Sequence, residues 1–467
     1  MKVSTKFFQR PLVQLVLAAC LAACTAMPPV VETKRDDSSK PRVIVTTDGE
    51  IDDRSSMVRF LTYASDYDIA GIVQVNSNAQ RSGHSGEYWI EAQIAAYKKA
   101  LPNLRVHHPD FPDAEQLLGV MHVGNENEDD FGKSPDTIDD SDGAQLIIDV
   151  LLDSDPRPVH ILAWGGANTQ ANALWQIREH YSEADYKRAA SKARLYCIWF
   201  QDPAGDWIVN NLPEIRIYGA GRPERDGSWR DVWDYRSVDG KRGNIRDSAN
   251  PQDIQALMGD DWMTENIRTG HGPLGALYPQ SYTSEGDTPS FMPLIDNGLE
   301  QDSDYTLGGW GGRPVYAQGN YMEDGADDNN GVSDMHYTYY RWLKAVQNDW
   351  AARSDWFVTP RYADANHPPD ARINGPLVRS VPAGSTVSLD ASPASDPDGD
   401  SLQFKWWQYH EADSASSRVM IQNPTTQSEA SFVVPDEPGM QVHIILEVCD
   451  SGSPRLTRYR RLVVNVE

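Results

Sequence analysis

Between Pro41 and Tyr218, short apolar runs rich in β-branched residues alternate with segments of helical period, and this alternation restricts the fold more than any other feature. Strands are predicted at 42–48, 69–75, 159–164, 195–200 and 215–218. Met57, Leu61 and Ala64 recur at helical spacing after Asp53, and helices are predicted at 53–64, 87–100 and 168–181 and through 146–152. Strands separated by helices must pair in parallel, because each crossover carries the chain back to the same end of the sheet. The expected fold class is therefore α/β, a mostly parallel sheet with helices on both faces. In such sheets functional groups gather beyond the carboxyl ends of the strands. Asp48–Asp53, Asn76–Asn78, Gly165–Thr169 and Gln201–Asp206 all fall at such ends.

The remainder of the chain reads differently. Residues 219–330 are irregular and rich in Gly, Asp and Trp, and are expected to form long loops over the sheet. Tyr339, Leu343, Val346 and Trp350 predict a helix over 333–357, which closes a first domain at 41–361. Asn366-His367-Pro368-Pro369-Asp370 reads as a linker. Beyond it, alternating runs at 386–389, 402–407, 431–434, 442–448 and 461–466 predict an all-β, Ig-like sandwich over 362–467. Asp396, Asp398 and Asp400 are spaced to bind Ca²⁺, but no distal Glu follows them, and a plain turn is the favoured reading.

The amino terminus reads as an export signal. Lys2, Lys6 and Arg10 precede an apolar stretch, Leu12 to Ala23, too short to span a membrane. Leu21-Ala22-Ala23-Cys24 resembles the bacterial lipobox, which implies cleavage after residue 23 and lipid attachment at Cys24. Residue 25 is Thr rather than Asp, which favours the outer membrane, with the lipid as the only membrane contact and residues 25–40 as a flexible tether. Only Cys197 and Cys449 then remain, in different predicted domains, so neither a disulfide nor a thiolate zinc site is expected. The formal net charge of −26, from 42 basic and 68 acidic residues, argues against nucleic acid as a partner.

Thr46-Thr47-Asp48-Gly49-Glu50-Ile51-Asp52-Asp53 is the stretch with the most chemistry. Carboxylates this close raise one another's pKa unless a cation or proton sits among them. A hard divalent cation suits oxygen ligands. The competing reading is a solvated acidic loop whose Asp residues favour a helix amino terminus.

These residues carry a resemblance. The octapeptide is similar to the Asp-Thr-Asp-Pro-Gly-x-Asp-Asp signature of the nucleoside hydrolase fold, and Trp164-Gly165-Gly166-Ala167-Asn168-Thr169 stands where that family has Gly-Pro-Leu-Thr-Asn. Gly272-Pro273-Leu274-Gly275-Ala276-Leu277-Tyr278-Pro279, Glu285-Gly286-Asp287-Thr288-Pro289-Ser290-Phe291 and Gly308-Gly309-Trp310-Gly311-Gly312 resemble its cellulose-binding-protein branch, which also carries a carboxyl-terminal β-sandwich. The resemblance implies Ca²⁺ held by Asp48, Asp53, the Asn168 carbonyl and Asp287. Asp48 would serve as general base, and Asp52 with Asn78 or Asn76 would hold sugar hydroxyls. Direct attack of an activated water on an oxocarbenium-like sugar is the chemistry implied.

The departures are specific. Thr46 replaces the signature's first Asp, and Gly49-Glu50 replaces Pro-Gly. Tyr196 and Ile198 do not match the family's sugar-clamping Glu and Asn. Gly286 stands where part of the family has the His that protonates a leaving nucleobase. Asp202, Asp206, His271 and Glu285 are candidate replacements for that acid. The resemblance thus implies a glycosidase acting on a plant-wall glycan or furanoside. The alternative is a non-catalytic polysaccharide-binding lipoprotein, with Trp310, Trp229, Trp233, Trp406 and Trp407 as candidate stacking residues. Trp406 and Trp407, adjacent on one strand, must face opposite sides.

Overall fold

The computed structural model describes residues 40–219, 256–279, 285–425 and 427–467. Cys24, the export signal, nearly all of the tether, Trp229 and Trp233 lie outside them. Strand β1 (Arg42–Thr47) is buried along its whole length and pairs in parallel with β2 (Asp68–Gln74) and β4 (Val159–Ala163). A strand covered on both faces needs no polar alternation, and Val43-Ile44-Val45 meets that requirement. Val43 and Val45 face one core with Met57, Phe60 and Leu61 of helix α1 (Ile51–Thr62) and Ile90 and Ile94 of α2 (Trp89–His107). Ile44 faces the other core, with Ile147 and Ile148 of α4 (Asp142–Leu152) and Leu174 of α5 (Asn168–His180).

The sheet continues through β5 (Ala193–Cys197) and β6 (Arg216–Gly219); with β3 (Met121–Val123), β7 (Pro314–Gln318) and β8 (Tyr321–Asp324) its full order is β3-β2-β1-β4-β5-β6-β8-β7. Chain order therefore reverses direction between β1 and β4. Their carboxyl ends open the crevice in which open α/β sheets bind ligands.

The structure adds elements that the periodicity did not reveal. Strand β3 (Met121–Val123), reached through α3 (Ala114–Gly119), is too short to show a period. Helix α6 (Glu183–Lys192) presents mostly charged residues to solvent. The region expected to be loops contributes two strands to the main sheet. β7 (Pro314–Gln318) is antiparallel to β8 (Tyr321–Asp324), which lies parallel to β6. A second hairpin, β9 (Asp327–Asn329) and β10 (Val332–Asp334), turns at Asn330 and Gly331, both with positive φ. It takes the first residues of the predicted helix 333–357, which resolves into one turn at Tyr337–Tyr340 and the longer α8 (Leu343–Trp356). Helix α7 (Ala204–Asn211) lies between β5 and β6.

The carboxyl-terminal region is all β. One sheet holds β11 (Val378–Val381), β16 (Thr457–Val466), β15 (Gln441–Cys449) and β13 (Gln403–Gln408); the other pairs β12 (Thr386–Asp390) with β14 (Glu429–Val433). Trp406 is buried between them while Trp407 turns to the opposite face, as adjacent strand residues must. Cys197 and Cys449 are unpaired.

The two regions share a core. Trp310 and Trp342 cluster with Tyr409, Ile445 and Tyr459 of the sandwich. The Arg461 guanidinium donates to the carbonyls of Leu299, Leu307 and Gly308, and Arg458 pairs with Asp349 at 2.6 Å. The connecting segment is pinned as well. The His367 ring stacks on Tyr362 with centroids 3.6 Å apart, and the His367 amide donates to Asp398 Oδ2 at 2.7 Å.

Candidate functional site

The crevice between β1 and β4 is built by close backbone approach. A Cβ on Gly165 would lie 2.9 Å from Asp48 Cβ, and one on Gly166 would lie 2.4 Å from Asp202 Oδ2, so this turn accepts only glycine without displacement. The Gly166 amide donates to the Asn76 carbonyl at 2.9 Å, and Trp164 Nε1 donates to Ser290 Oγ at 2.8 Å. Ser290 Oγ in turn donates to the Asp287 carbonyl at 2.7 Å. The loops after β1, β2 and β4 and the turn carrying Asp287 are therefore locked to one another.

Asp52 and Asp53 occupy the first turn of α1, where the helix dipole favours negative charge. One carboxylate oxygen from each of Asp52, Asp53 and Asp287 lies within 4.8 Å of the others. Asp53 Oδ1 accepts from the Asp48 amide at 3.2 Å and from Thr47 Oγ1. Asp48 Oδ2 and Asp287 Oδ2 are buried without any hydrogen-bond partner. Burial raises the pKa of Asp48, and burial together with the neighbouring carboxylates pushes Asp53 and Asp287 well up. Burial, Asp48 and Asp52 push Glu50 up to about 7. Among the described residues, no Lys or Arg forms an ion pair with Asp48, Asp53 or Asp287. Buried, partnerless carboxylate oxygens are the donors a hard cation takes, so the residues present fit Ca²⁺.

Asn168, expected as a ligand through its carbonyl, sits at the start of α5 beside this cluster. Its side-chain amide donates to Asn76 Oδ1 at 2.7 Å, and its backbone amide donates to Asp202 Oδ2 at 3.0 Å. Asn76 is buried, whereas Asn78 is exposed nearby, its amide bonded to the Gln201 carbonyl at 3.1 Å. Asp202 is buried, which raises its pKa to about 6, and its other oxygen accepts from the Ala204 amide at 2.9 Å. It ties α5 to α7 rather than pointing at a substrate.

Three expected substrate contacts lie elsewhere. Glu285 is buried in a two-point ion pair with Arg59, at 2.7 and 2.8 Å, which holds the turn before Asp287 against α1. His271 pairs with Asp355 near the carboxyl end of α8. Arg353, two residues earlier, reaches Asp66, which precedes β2 and so lies at the opposite end of the sheet. Trp310 has no exposed surface and lies in the shared core, so it presents no face to a sugar. Large aromatic surface is as suitable for a core as for stacking, and here the core takes it.

The sequence reading missed His84. The loop 75–88 brings it over Gly49, whose added Cβ would meet His84 Cβ at 2.8 Å. Its ring nitrogens face Glu87 Oε1 at 2.7 Å and Gln80 Oε1 at 2.9 Å, while Gln80 Nε2 donates to Glu50 Oε1 at 3.3 Å. The His84 and Ser85 amides both donate to Glu126 Oε1, which anchors the loop. The available cue was a lone His between Gly83 and Gly86 just beyond a strand end. At Gly286, a Cβ would lie 2.6 Å from Asp52 Oδ2, so any side chain there displaces the Asp52 carboxylate.

A family model described as the nucleoside hydrolase-like domain of cellulose-binding Sde182 matches residues 42–314, more than half of the chain. The chain belongs to this family. A second model, the carboxyl-terminal domain of cellulose-binding protein Sde0182, matches residues 386–466. Among solved structures, the chain is similar to a nucleoside hydrolase-related hypothetical protein from Saccharophagus degradans described as associated with carbohydrate metabolism. The two are 34% identical with a TM-score of 0.76, over 92% of this chain and 100% of the other. A PKD domain from the KIAA 1837 protein aligns with 21% of this chain and 89% of its own, at 15% identity and a TM-score of only 0.17, too low to carry any argument. No curated protein matches.

Proposed function

We propose that the chain is an exported, lipid-anchored carbohydrate-active protein that binds Ca²⁺ among Asp48, Asp53, Asp287 and the Asn168 carbonyl and hydrolyses a glycosidic bond there. The observation that carries this reading is the pair of buried oxygens without a hydrogen-bond partner, Asp48 Oδ2 and Asp287 Oδ2, beside the converging carboxylates of Asp52, Asp53 and Asp287 at the β1/β4 crevice. A bound divalent cation would supply the positive charge that acidifies a water and offsets the repulsion among these carboxylates. Asp48, with Oδ2 lacking any protein partner, would accept the proton of the attacking water. Exposed Asn78 would hold sugar hydroxyls, whereas the buried Asn76 side chain is taken up by Asn168 and the Arg81 and Asn127 carbonyls. Asp52 converges on Asp53 and Asp287, so it would serve the cation as much as the sugar. His84, with Nδ1 held by Glu87, would protonate the leaving group from Nε2 once the leaving oxygen displaces Gln80 Oε1, in place of the His that Gly286 replaces. The glycan is expected to be a plant-wall fragment or furanoside, consistent with the family's description as cellulose-binding.

Reducing-sugar release from plant-wall glycans tests this reading. The Ca²⁺-loaded wild-type chain should release sugar and Asp48→Ala should not, and unchanged release by the variant would refute the mechanism. His84→Gln should lower kcat by about 10²-fold on alkyl glycosides, whose leaving group needs a proton, and little on nitrophenyl glycosides. Equal effects on both would remove His84 as the acid. The family description and the crowding at Gly286 also support a second reading, polysaccharide binding without turnover. Retention on insoluble cellulose by a chain that releases no sugar would favour it. Anchoring is tested by labelled palmitate, whose incorporation should be lost in Cys24→Ser. Among the described residues no helix is long and apolar enough to cross a membrane.

A further inference from the structure

Helix α8 and the outer face of the four-stranded sheet diverge to leave a cavity of about 510 Å³, within the range of roughly 300–1,000 Å³ typical of small-molecule sites. No residue of the acidic crevice lines it. Its floor follows from strand period. Gln403, Lys405 and Trp407 share one face of β13, opposite the buried Trp406, and Lys405 lies across from Glu447 on β15. Trp407 is only partly buried: Trp342 tilts against it with ring centroids 5.6 Å apart and the Arg341 guanidinium lies over the ring 4.5 Å from its centroid, so a ligand meets the part of the ring these two leave exposed. The roof is one face of α8, where Lys344 and Asn348 are a turn apart. Asn348 Nδ2 donates to the Arg455 carbonyl at 2.9 Å, which brings Arg455 to the same wall as Lys344.

The charge of this cavity runs against that of the protein. Arg341, Lys344, Lys405 and Arg455 line it with a single carboxylate, Glu447, on a chain of formal net charge −26. Arg341 is engaged by Asp327 at 3.1 Å and Lys405 by Glu447 at 3.3 Å. Lys344 and Arg455 are both exposed; Arg455 Nε donates to the Asp450 carbonyl at 2.9 Å, which leaves its terminal nitrogens and the Lys344 ammonium to meet a ligand. An aromatic face beside two cations suits a ring that is apolar on one side and carries a carboxylate at its edge.

We propose that this cavity binds a uronate-bearing oligosaccharide, with a sugar ring against Trp407 and its carboxylate between Lys344 and Arg455. This does not depend on the acidic crevice being catalytic. The test is calorimetric titration of the full mature chain, in EDTA to prevent calcium bridging, with pentagalacturonate, its methyl ester and cellopentaose. The acid should bind about tenfold or more tightly than the ester and cellopentaose, and more weakly as salt is added. Lys344→Glu, an exposed change on a helix surface, should remove that preference while leaving the melting temperature unchanged. Trp407→Ala should weaken the acid and the ester alike, and Asp53→Ala should weaken neither. Equal affinity for acid and ester, or an acid preference that survives Lys344→Glu, would overturn the proposal. Loss of uronate binding in Asp53→Ala alone would place the ligand in the acidic crevice and also overturn it.

Discussion

Asp287 presents a buried oxygen with no partner to a cluster of like charges, and this gives substitutions a sign that ordinary core residues lack. Asp287→Asn keeps the shape and removes a charge that burial and its neighbours disfavour. It should raise the stability of the cation-free protein, by on the order of 1 kcal/mol, while removing the gain on adding Ca²⁺. That gain in the wild type should be about 2.7 kcal/mol at a hundredfold excess over Kd. Urea denaturation with EDTA and with Ca²⁺ checks both. A residue that only caps a helix would lose stability in both conditions. At this scale the sequence was informative where spacing restricts chemistry, as at Asp48, Asp52 and Asp53. It was misleading where one residue type serves two ends. Glu285 was read beside Asp287 because the two are neighbours in sequence, but its carboxylate turns to Arg59.

Among the elements, the Arg59–Glu285 pair joins α1 to the turn carrying Asp287, and Arg59 also donates to Gln347 Oε1 on α8 at 2.8 Å. Arg59→Met should leave Glu285 buried without its partner, costing about 3–5 kcal/mol in chemical denaturation and loosening the acidic crevice. Glu285→Gln with Arg59→Met should recover much of that loss. The parallel strands were legible because β1, β4 and their neighbours are buried on both faces and read as continuous apolar runs. The hairpins β7–β8 and β9–β10 were not legible. Their strands are short, those of the second hairpin are mostly polar, as in Asp327–Asn329, and β8 owes its place in the main sheet to β6, a partner distant in the sequence.

At the scale of the whole molecule, the alternating runs after residue 386 were read correctly as an all-β region, but its docking was not visible in sequence. Arg461 and Arg458 of β16 reach carbonyls and a carboxylate of the α/β region, contacts that no local pattern announces. The intact chain should therefore unfold in one calorimetric transition, and residues 362–467 expressed alone should melt lower or aggregate. Two separate transitions would contradict a shared core. Burial lowers the pKa of His107 and His367 at this junction. The unfolded chain then takes up protons first as pH falls below about 6.5, so stability contributed by the neutral rings is lost toward acid. His367→Phe should flatten the melting-temperature profile between pH 7.5 and 5.5.

A hard divalent cation is proposed for the crevice at the end of β1. Calorimetric titration of Ca²⁺ into the metal-stripped chain, beside Asp53→Ala, tests it most directly. Saturable one-site binding to the wild type that is lost in Asp53→Ala is the predicted result. No binding to a folded wild type, or equal binding to both, would return Asp48–Asp53 to a helix cap and an acidic loop.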